Sequence, residues 1–258
     1  MARIIINSDD FGMDKNIDDA CIHANKKKKI NSISVIVNYK NYEISKKKLK
    51  SFKGNIGIHL NLTQNSPVLN KKENSLTNKK KKFLGLKKFV FHYLINRINT
   101  KDIYDELNAQ ILKLKKNKIK VSHLDSHQHI HMLPKIWKIC NLLAVKHGIK
   151  RVRITKEEFF SHDNFVLKIK KVIFYILSIY NNKFKMINYS KFYGLSLQES
   201  PIYDKLFLQK IVNSNTNTEF MVHLSKSNKI SKNEKIKYGR KREFNEILKM
   251  NYNVKFKF

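Results

Sequence analysis

The chain has 258 residues, 41% of them hydrophobic, which is enough to build one well-buried domain over residues 1–258. Its 53 lysines and arginines against 20 aspartates and glutamates give a formal net charge of +33. The lysines come in scattered runs without interleaved aromatic residues, and abundant Lys, Asn and Ile with little Gly or Pro is typical of an AT-rich genome. We therefore predict no specific nucleic-acid partner, although a field this positive favours peripheral association with an anionic membrane.

The sequence also bears on the cellular compartment. Cys21 and Cys140 lie far apart and outside any C-x-x-C motif, which excludes a disulfide framework and a thiol redox motif. The N-terminus reaches Asp9 and Asp10 too early for a signal peptide, and no apolar run approaches the about 20 residues of a membrane span. We predict a cytoplasmic protein.

Strands and helices are predicted to alternate from the N-terminus. The β-branched run within Arg3–Asn7 predicts a strand buried on both faces, and apolar residues at helical spacing predict a helix from Asp14 to about Lys28. The long polar segment Thr63–Lys82 predicts a loop that serves as a lid or a substrate wall. The other strands predicted in this half lie at 33–37 and 55–62, and the other helices at 42–52, 83–98 and 102–116.

The second half continues the alternation, beginning with a histidine-rich strand at 121–132 and a helix that starts at Pro134 and ends at Gly148. A helix at 165–180 is apolar nearly all round apart from its lysines. Its default is burial against the domain, with a dimer face or a membrane-surface helix as alternatives, and we predict a homodimer through it. The remaining predictions are strands at 152–154, 219–223 and 252–258, helices at 203–212 and 239–250, and a turn at 192–194.

This alternation predicts an α/β fold, a distorted (β/α) barrel of the TIM-barrel type formed by a single domain. In such barrels the carboxyl ends of the strands form the site. Chemically active side chains recur at or just past the predicted ends, namely Asp9, Asp10, His59, His127 and His223. Their convergence predicts an active site at that end of the barrel.

The histidine-rich stretch carries the strongest signal. Its potential metal ligands all have the same parity, so an extended backbone would point them to one face. They are His123, Asp125, His127, His129 and His131. Imidazole and carboxylate suit a catalytic divalent metal, with some of the five as ligands and others orienting them. Histidines satisfied by ordinary hydrogen bonds are the alternative.

Two adjacent carboxylates, Asp9 and Asp10, follow the first predicted strand. Like charges this close resist joint ionisation unless a cation holds them, which indicates a metal or another cation. The alternative is a turn with a helix N-cap, because Asp and Gly frequently form such turns.

Four blocks together resemble a known family, and Arg242-Glu243 in the last predicted helix also fits it. The blocks are N-S-D-D-F-G at 7–12, I-G-I-H-L-N-L-T at 56–63, H-L-D-S-H-Q-H-I-H-M-L-P at 123–134 and E-F-M-V-H at 219–223. The chain thereby resembles the YdjC-like carbohydrate deacetylases, which include the chito-oligosaccharide deacetylases, over essentially its whole length. The resemblance implies a distorted (β/α) barrel, one divalent metal ion (Mg or Zn) and an N-acetylated saccharide as substrate.

The resemblance also implies roles for individual residues. His59 and His127 would bind the metal, and the metal-binding carboxylate would lie in the Asp9-Asp10 pair, with Asp10 as the ligand and Asp9 as the general base. His223 would donate a proton to the departing sugar amine. The residues that would orient the ligands or contact the substrate are His123, Asp125, His129 and His131. Of these, Asp125 could also compete as a metal ligand.

Two other functions fit parts of the sequence. A metal-dependent phosphoesterase would use Asp and His ligands, but two-metal enzymes of this class need more bridging acids than Asp9, Asp10 and Asp125 supply. A basic nucleic-acid-binding protein with a degenerate site would bind through its charge, and removal of His59 or His127 would leave that binding unchanged. We therefore predict a hydrolase that removes the N-acetyl group from an acetamido sugar, either an oligosaccharide or a sugar-linked precursor.

Overall fold

A sheet of parallel strands forms the centre of the fold. The computed structural model describes residues 4–181, 191–196, 216–228 and 239–250. The strands within these ranges are β1 (Ile4–Phe11), β2 (Ser32–Val35), β3 (Asn55–Leu60), β4 (His123–Ser126), β5 (Arg151–Val152), β6 (Lys191–Tyr193) and β7 (Thr218–Val222). They lie in the order β5-β4-β3-β2-β1-β7-β6, and every neighbouring pair is parallel.

The sheet curls into a distorted barrel that is open between its edge strands, β5 and β6. No ladder joins these two strands within the described residues. However, Arg153, which follows β5, lies 2.8 Å from Glu219 of β7. Its guanidinium carbon also lies 5.6 Å from the ring centroid of Phe192 in β6. The two edges of the sheet therefore approach each other, which confirms the predicted distorted (β/α) barrel.

Helices connect the strands and cover the sheet. They are α1 (Lys15–Lys26), α2 (Lys40–Ser45), α3 (Leu86–Leu94), α4 (Thr100–Lys115), α5 (Pro134–His147), α6 (Phe165–Asn181) and α7 (Arg240–Lys249), with 3-10 turns at Lys46–Ser51 and His127–Met132. The side chain of Asp14 caps α1 by accepting from the backbone N–H of Asn16, so neither Asp9 nor Asp10 is the N-cap. The turn of that alternative is present, because Met13 N–H donates to the carbonyl of Asp10 at 3.1 Å. α5 begins at Pro134 and ends before Gly148, whose φ of 67° suits glycine, as predicted.

β1 is buried from Ile5 to Phe11, including its polar residues. Buried polar groups need hydrogen-bond or ionic partners, since leaving one unpaired costs about 1–3 kcal/mol. The polar run that begins at Asn7 therefore requires polar side chains from neighbouring strands. These side chains and those of β1 form the candidate site.

The predicted strand at 121–132 is wrong in its second half. β4 ends at Ser126, and the following 3-10 turn contains Gln128 and His129 with φ values of 57° and 55°. Left-handed backbone breaks the alternation of side chains between two faces. The expectation that one strand face carries all five potential ligands is therefore wrong.

Other predicted elements differ from the observed ones as well. The predicted helix at 42–52 consists of the short α2 and a 3-10 turn, and the predicted turn at 192–194 begins with two residues of β6. The segment 63–82 forms no helix or strand, as predicted. Its Thr77 makes one isolated bridge to Phe83, the residue that follows the segment. The helix predicted at 203–212 and the strand at 252–258 lie outside the described residues.

The default expectation for the helix at 165–180, burial against the domain, holds only for one stripe of α6. The buried residues of this helix are Leu167, Lys171, Phe174, Ser178 and Asn181.

Among the described helices, none has the length and apolar character needed to cross a membrane.

Candidate metal centre

Asp9 and Asp10 both reach the site because β1 is irregular at this point. In a regular strand consecutive side chains lie on opposite faces. Between Ser8 and Phe11 the pairing of β1 with β2 shifts register, and Asp10 has a φ of 68°. This bulge lets an oxygen of each carboxylate lie within 4.8 Å of a ring nitrogen of His59.

Asp10 is surrounded by basic groups. Its Oδ1 accepts a hydrogen bond from His127 Nδ1 at 2.9 Å and lies 3.3 Å from His59 Nε2. Its Oδ2 accepts from Arg240 Nη2 at 2.5 Å. Burial raises the pKa of Asp10, but the nearby Arg240 and His127 outweigh burial and hold this pKa well below its usual range. Asp10 is therefore a charged carboxylate able to bind a cation.

His59 is held by a second carboxylate. Its Nδ1 donates to Asp125 Oδ1 at 2.8 Å, which leaves Nε2 on the side of Asp10. Burial lowers the pKa of His59, but the negative charges of Asp125 and Asp9 outweigh burial and raise this pKa to about 10. A carboxylate that fixes one ring nitrogen while the other faces a metal position is a common arrangement in metalloproteins.

The donor set of the cluster fits a divalent metal. Asp10, His59 and His127 each offer one ligand atom, and these atoms all lie within 4.8 Å of one another. His127 Nε2 is buried and has no hydrogen-bond partner in the described part of the chain. One carboxylate and two imidazoles leave further coordination positions for water and substrate. The fold thus brings together the three residues expected to bind the metal.

Arg153 compensates the neighbouring carboxylates. It pairs with Asp9 through two bonds of 2.7 and 2.9 Å, with Asp125 at 2.7 Å and with Glu219 at 2.8 Å, and all four side chains are buried. Asp9, His59 and Asp125 also offer ligand atoms within 4.8 Å of one another. Both oxygens of Asp9 and of Asp125 are already engaged by Arg153, His59 or Ser34. The first set instead includes His127 Nε2, the buried nitrogen without a partner in the described part of the chain, so the second set is less suited to a metal than the first.

His123 supports the carboxylate that holds His59. Its Nε2 lies 3.0 Å from Ser34 Oγ, and Ser34 donates to Asp125 Oδ2 at 2.7 Å. A Cβ on Gly57 would lie 2.3 Å from His123 Nε2, so the ring fills the space that this glycine leaves. Burial holds the pKa of His123 well below its usual range, which keeps the ring neutral.

His129 and His131 make their hydrogen bonds outside the Asp10 cluster. His129 Nδ1 lies 3.2 Å from Thr155 Oγ1, and its ring packs edge-on against Phe174 of α6. His131 Nε2 donates to the carbonyl of Arg153 at 3.0 Å. Burial lowers the pKa of both histidines, to about 4 for His131. Both rings therefore act as neutral hydrogen-bonding groups of the framework.

His223 directly follows β7 and is half-buried. Burial, and then the charge of Arg240, lower its pKa to about 4, while Asp10 and Asp9 act in the opposite direction. Its backbone hydrogen-bonds Glu243 of α7. The ring is therefore neutral at pH 7 and lies within the electrostatic influence of both aspartates.

The two arginines of the site, Arg153 and Arg240, were not predicted from the sequence. Arg153 had a signal, because it is a charged residue between Val152 and Ile154 in the strand predicted at 152–154, and a charged side chain that becomes buried needs acidic partners. Arg240 had none. It begins α7, far from Asp10 in sequence, and only the tertiary fold brings the two together.

One protein family matches nearly the whole chain. The family described as YdjC-like protein matches residues 3–251. The chain belongs to the YdjC-like family. The resemblance based on the four sequence blocks is therefore confirmed.

Three relatives of this YdjC-like chain are named carbohydrate deacetylases. A carbohydrate deacetylase of Xenopus laevis is 32% identical over 165 residues, which are 60% of this chain and 51% of the relative. A carbohydrate deacetylase of Brevibacillus brevis is 30% identical over 57% of each chain, and one of Clostridium beijerinckii is 30% identical over 69% of each chain. The matched part of the chain thus spans little more than half the length of the first two relatives.

A solved structure shares the fold. A protein of Enterococcus faecalis V583, described as a cellobiose-phosphate cleavage protein, superposes with a TM-score of 0.72. The match covers 96% of this YdjC-like chain and 90% of that protein, at 22% sequence identity. At this identity the likeness shows the fold alone.

Proposed function

We propose that this YdjC-like chain, as a single domain over 1–258, is a metal-dependent hydrolase that removes the N-acetyl group from an acetamido sugar. The products are the sugar amine and acetate. The observation that carries the proposal is the cluster of Asp10, His59 and His127, whose ligand atoms lie within 4.8 Å of one another. The carbohydrate deacetylase names of the relatives supply the reaction and the substrate class.

The three residues of this cluster are proposed to hold one divalent ion, Mg or Zn. When bound, the ion supplies Lewis acidity toward a water molecule and toward the amide carbonyl. His59 has to lose a proton before it can act as a ligand, because its pKa is raised to about 10. Asp125 keeps the ring of His59 oriented during this exchange.

Asp9 is the proposed general base. Its Oδ1 accepts from Arg153 Nη2 at 2.9 Å and from Asn7 Nδ2 at 2.7 Å, whereas its Oδ2 accepts from Arg153 Nη1 at 2.7 Å. A carboxylate oxygen can accept two hydrogen bonds, so Oδ2 retains capacity for a proton from water. Arg153 and Asn7 fix the orientation of the carboxylate while it does so.

His223 is the proposed donor to the departing amine. Because its pKa is lowered to about 4, the ring starts neutral at pH 7 and has to receive the proton that it later delivers. That proton is the one that Asp9 takes from water, so the reaction needs no other proton donor. Water supplies a hydroxyl to the acetyl carbon, the C–N bond breaks, and the proton ends on the amine nitrogen.

The electrostatics of the site disfavour a two-metal phosphoesterase. Such enzymes use several bridging acids, whereas Asp9 and Asp125 are both paired with Arg153. The proposed metal cluster contains one carboxylate, Asp10, beside its two histidines. The basic nucleic-acid-binding alternative offers no reason for a buried ligand cluster of this kind.

The proposal extends to the compartment and the partners. We propose that the protein acts in the cytoplasm, which the free, buried thiols of Cys21 and Cys140 support. An N-acetylated saccharide is the proposed substrate. The proposed homodimer rests on the apolar composition of α6, and the proposed association with an anionic membrane rests on the net charge of +33.

The test is acetate release from a panel of N-acetylated mono- and oligosaccharides and sugar-linked precursors. Chelator-stripped protein receives single divalent metals, and His127→Ala is compared with His162→Ala, a change of an exposed histidine. We expect metal-dependent release that His127→Ala abolishes and His162→Ala retains. Release without metal, or release that survives His127→Ala, contradicts the proposed role of the cluster.

The split within the aspartate pair has its own test. We expect Asp10→Asn to lose metal binding in calorimetry, whereas Asp9→Asn should bind metal and lose kcat. If Asp9→Asn loses metal and Asp10→Asn retains it, the two roles are exchanged.

A further inference from the structure

α6 partly reverses the arrangement of an ordinary surface helix, because it buries polar side chains and exposes apolar ones. Its buried stripe contains Lys171, Ser178 and Asn181 beside Leu167 and Phe174. Soluble helices normally bury their apolar stripe and expose their polar residues. The reversal indicates that the outward side is not adapted to water.

The outward side of α6 consists almost wholly of large apolar side chains. The most exposed, Phe165 and Val166, have 77% and 69% of their surface accessible. The others, each at least 43% exposed, are Ile169, Val172, Ile173, Tyr175, Ile176, Ile179 and Tyr180. Single exposed apolar residues are common, but a contiguous face of this kind marks an interaction site.

The buried stripe prevents α6 from rotating this face inward. Lys171 Nζ lies 2.7 Å from Asp163, 3.0 Å from Glu157 and 2.7 Å from Ser196 Oγ, and these side chains are buried. Rotation of the helix would break these ionic contacts and leave a buried ammonium without partners, which is strongly unfavourable. The apolar face is therefore held outward by the packing of the domain.

The charges around the face favour an anionic partner. α6 contains no Asp or Glu, and its Lys168 is exposed. Lys156, also exposed, places its Nζ 4.8 Å from the ring centroid of Tyr175. Apolar and aromatic residues bordered by lysines are typical of helices that lie in the interface of a membrane with anionic lipids.

We propose that the outward face of α6 docks on the surface of an anionic lipid bilayer. The face would enter the boundary between headgroups and acyl chains, while Lys156 and Lys168 extend toward the phosphates. A second copy of the chain is a poorer occupant, because two chains of +33 each repel one another. This inference is independent of the proposed enzymatic function.

Co-sedimentation with vesicles tests the proposal, using phosphatidylcholine alone and phosphatidylcholine mixed with phosphatidylglycerol. The variant Ile169→Ser/Ile173→Ser/Ile176→Ser removes apolar surface from the centre of the face without changing the net charge. We expect the wild type to bind the anionic vesicles and the triple variant to bind them at least tenfold more weakly. Circular dichroism and the unfolding midpoint establish that the variant is folded.

A matched control removes exposed apolar side chains elsewhere. Phe91→Ser/Leu94→Ser/Ile95→Ser, at the end of α3, should retain binding, because these positions lie outside the proposed face. Equal binding by wild type and the α6 variant would overturn the proposal, since net charge alone would then explain the affinity. Equal binding to neutral vesicles, or no binding to either kind, would also overturn it. A lipid-free dimer that the α6 variant dissociates would assign the face to a second copy instead.

Discussion

Arg240 Nη2 lies 2.5 Å from Asp10 Oδ2, the oxygen of this carboxylate that His59 and His127 do not contact. The guanidinium thus compensates Asp10 when no other cation does. A metal held by Asp10 and the two histidines would share this carboxylate with Arg240, and like charges repel. Arg240 therefore stabilises Asp10 in the metal-free protein and weakens the affinity of the cluster for a cation.

Replacing Arg240 tests this opposition. We expect Arg240→Gln to raise the affinity for divalent metal by about tenfold, which corresponds to about 1.4 kcal/mol, and to lower the stability of the metal-free protein. Lys241→Gln removes the same charge from an exposed neighbour and should change neither quantity. Calorimetric metal titration and urea unfolding measure the two effects. A lower metal affinity in Arg240→Gln would mean that Arg240 chiefly positions Asp10 for the metal.

Asp125→Asn should weaken metal binding because it removes the charge that orients His59 through the 2.8 Å bond. We expect a loss of about 10- to 100-fold in metal affinity, the usual effect of removing a partner of a ligating histidine. Glu219→Gln is the matched control, since Glu219 also pairs with Arg153. Metal titration of both variants should separate them, and equal losses would trace the effect to Arg153 rather than to His59.

Gly57→Ala should destabilise the protein because the new Cβ would lie 2.3 Å from His123 Nε2. The ring cannot easily move, since Ser34 and Ser122 hold its two nitrogens at 3.0 and 2.8 Å. We expect a loss of about 1–3 kcal/mol in the free energy of unfolding. Urea unfolding of the double variant Gly57→Ala/His123→Ala should show a smaller loss than the sum of the single losses. Additive losses would mean that the two positions do not conflict.

Asp18 should make the stability depend on pH. It accepts from the backbone N–H of Gly12 and from Asn41 at 2.6 Å each, yet burial dominates and raises its pKa to about 6. A pKa raised in the folded state favours the protonated form. The contribution of Asp18 is therefore fully present below its ordinary pKa of 3.8 and is lost as pH rises through about 6.

The variant Asp18→Asn isolates this contribution. From pH 4 to pH 7 the stability of the wild type relative to Asp18→Asn should fall by about 2 kcal/mol, which is most of the roughly 3 kcal/mol equivalent to the whole pKa shift. Urea unfolding at several pH values measures the difference. A difference that stays constant over this range would show that Asp18 titrates normally in the folded protein.

The sequence by itself determined the order of the elements and most of the ligand chemistry. The β-branched run that becomes β1 and the capping residues of α5 act locally, so their structure follows from neighbours along the chain. His59 could be placed at a strand end for the same reason. The parallel alternation of strands and helices then implied a barrel whose strand ends converge.

The tertiary structure decided what no local pattern contains. The bulge at Asp10 and the 3-10 turn after Ser126 depend on packing, and they determine which side chains meet. Arg153 and Arg240 acquire their roles from partners far away in sequence, because charge compensation depends on distance in space. The same applies to α6, whose outward face is determined by the buried contacts of Lys171 rather than by the helix's own apolar composition.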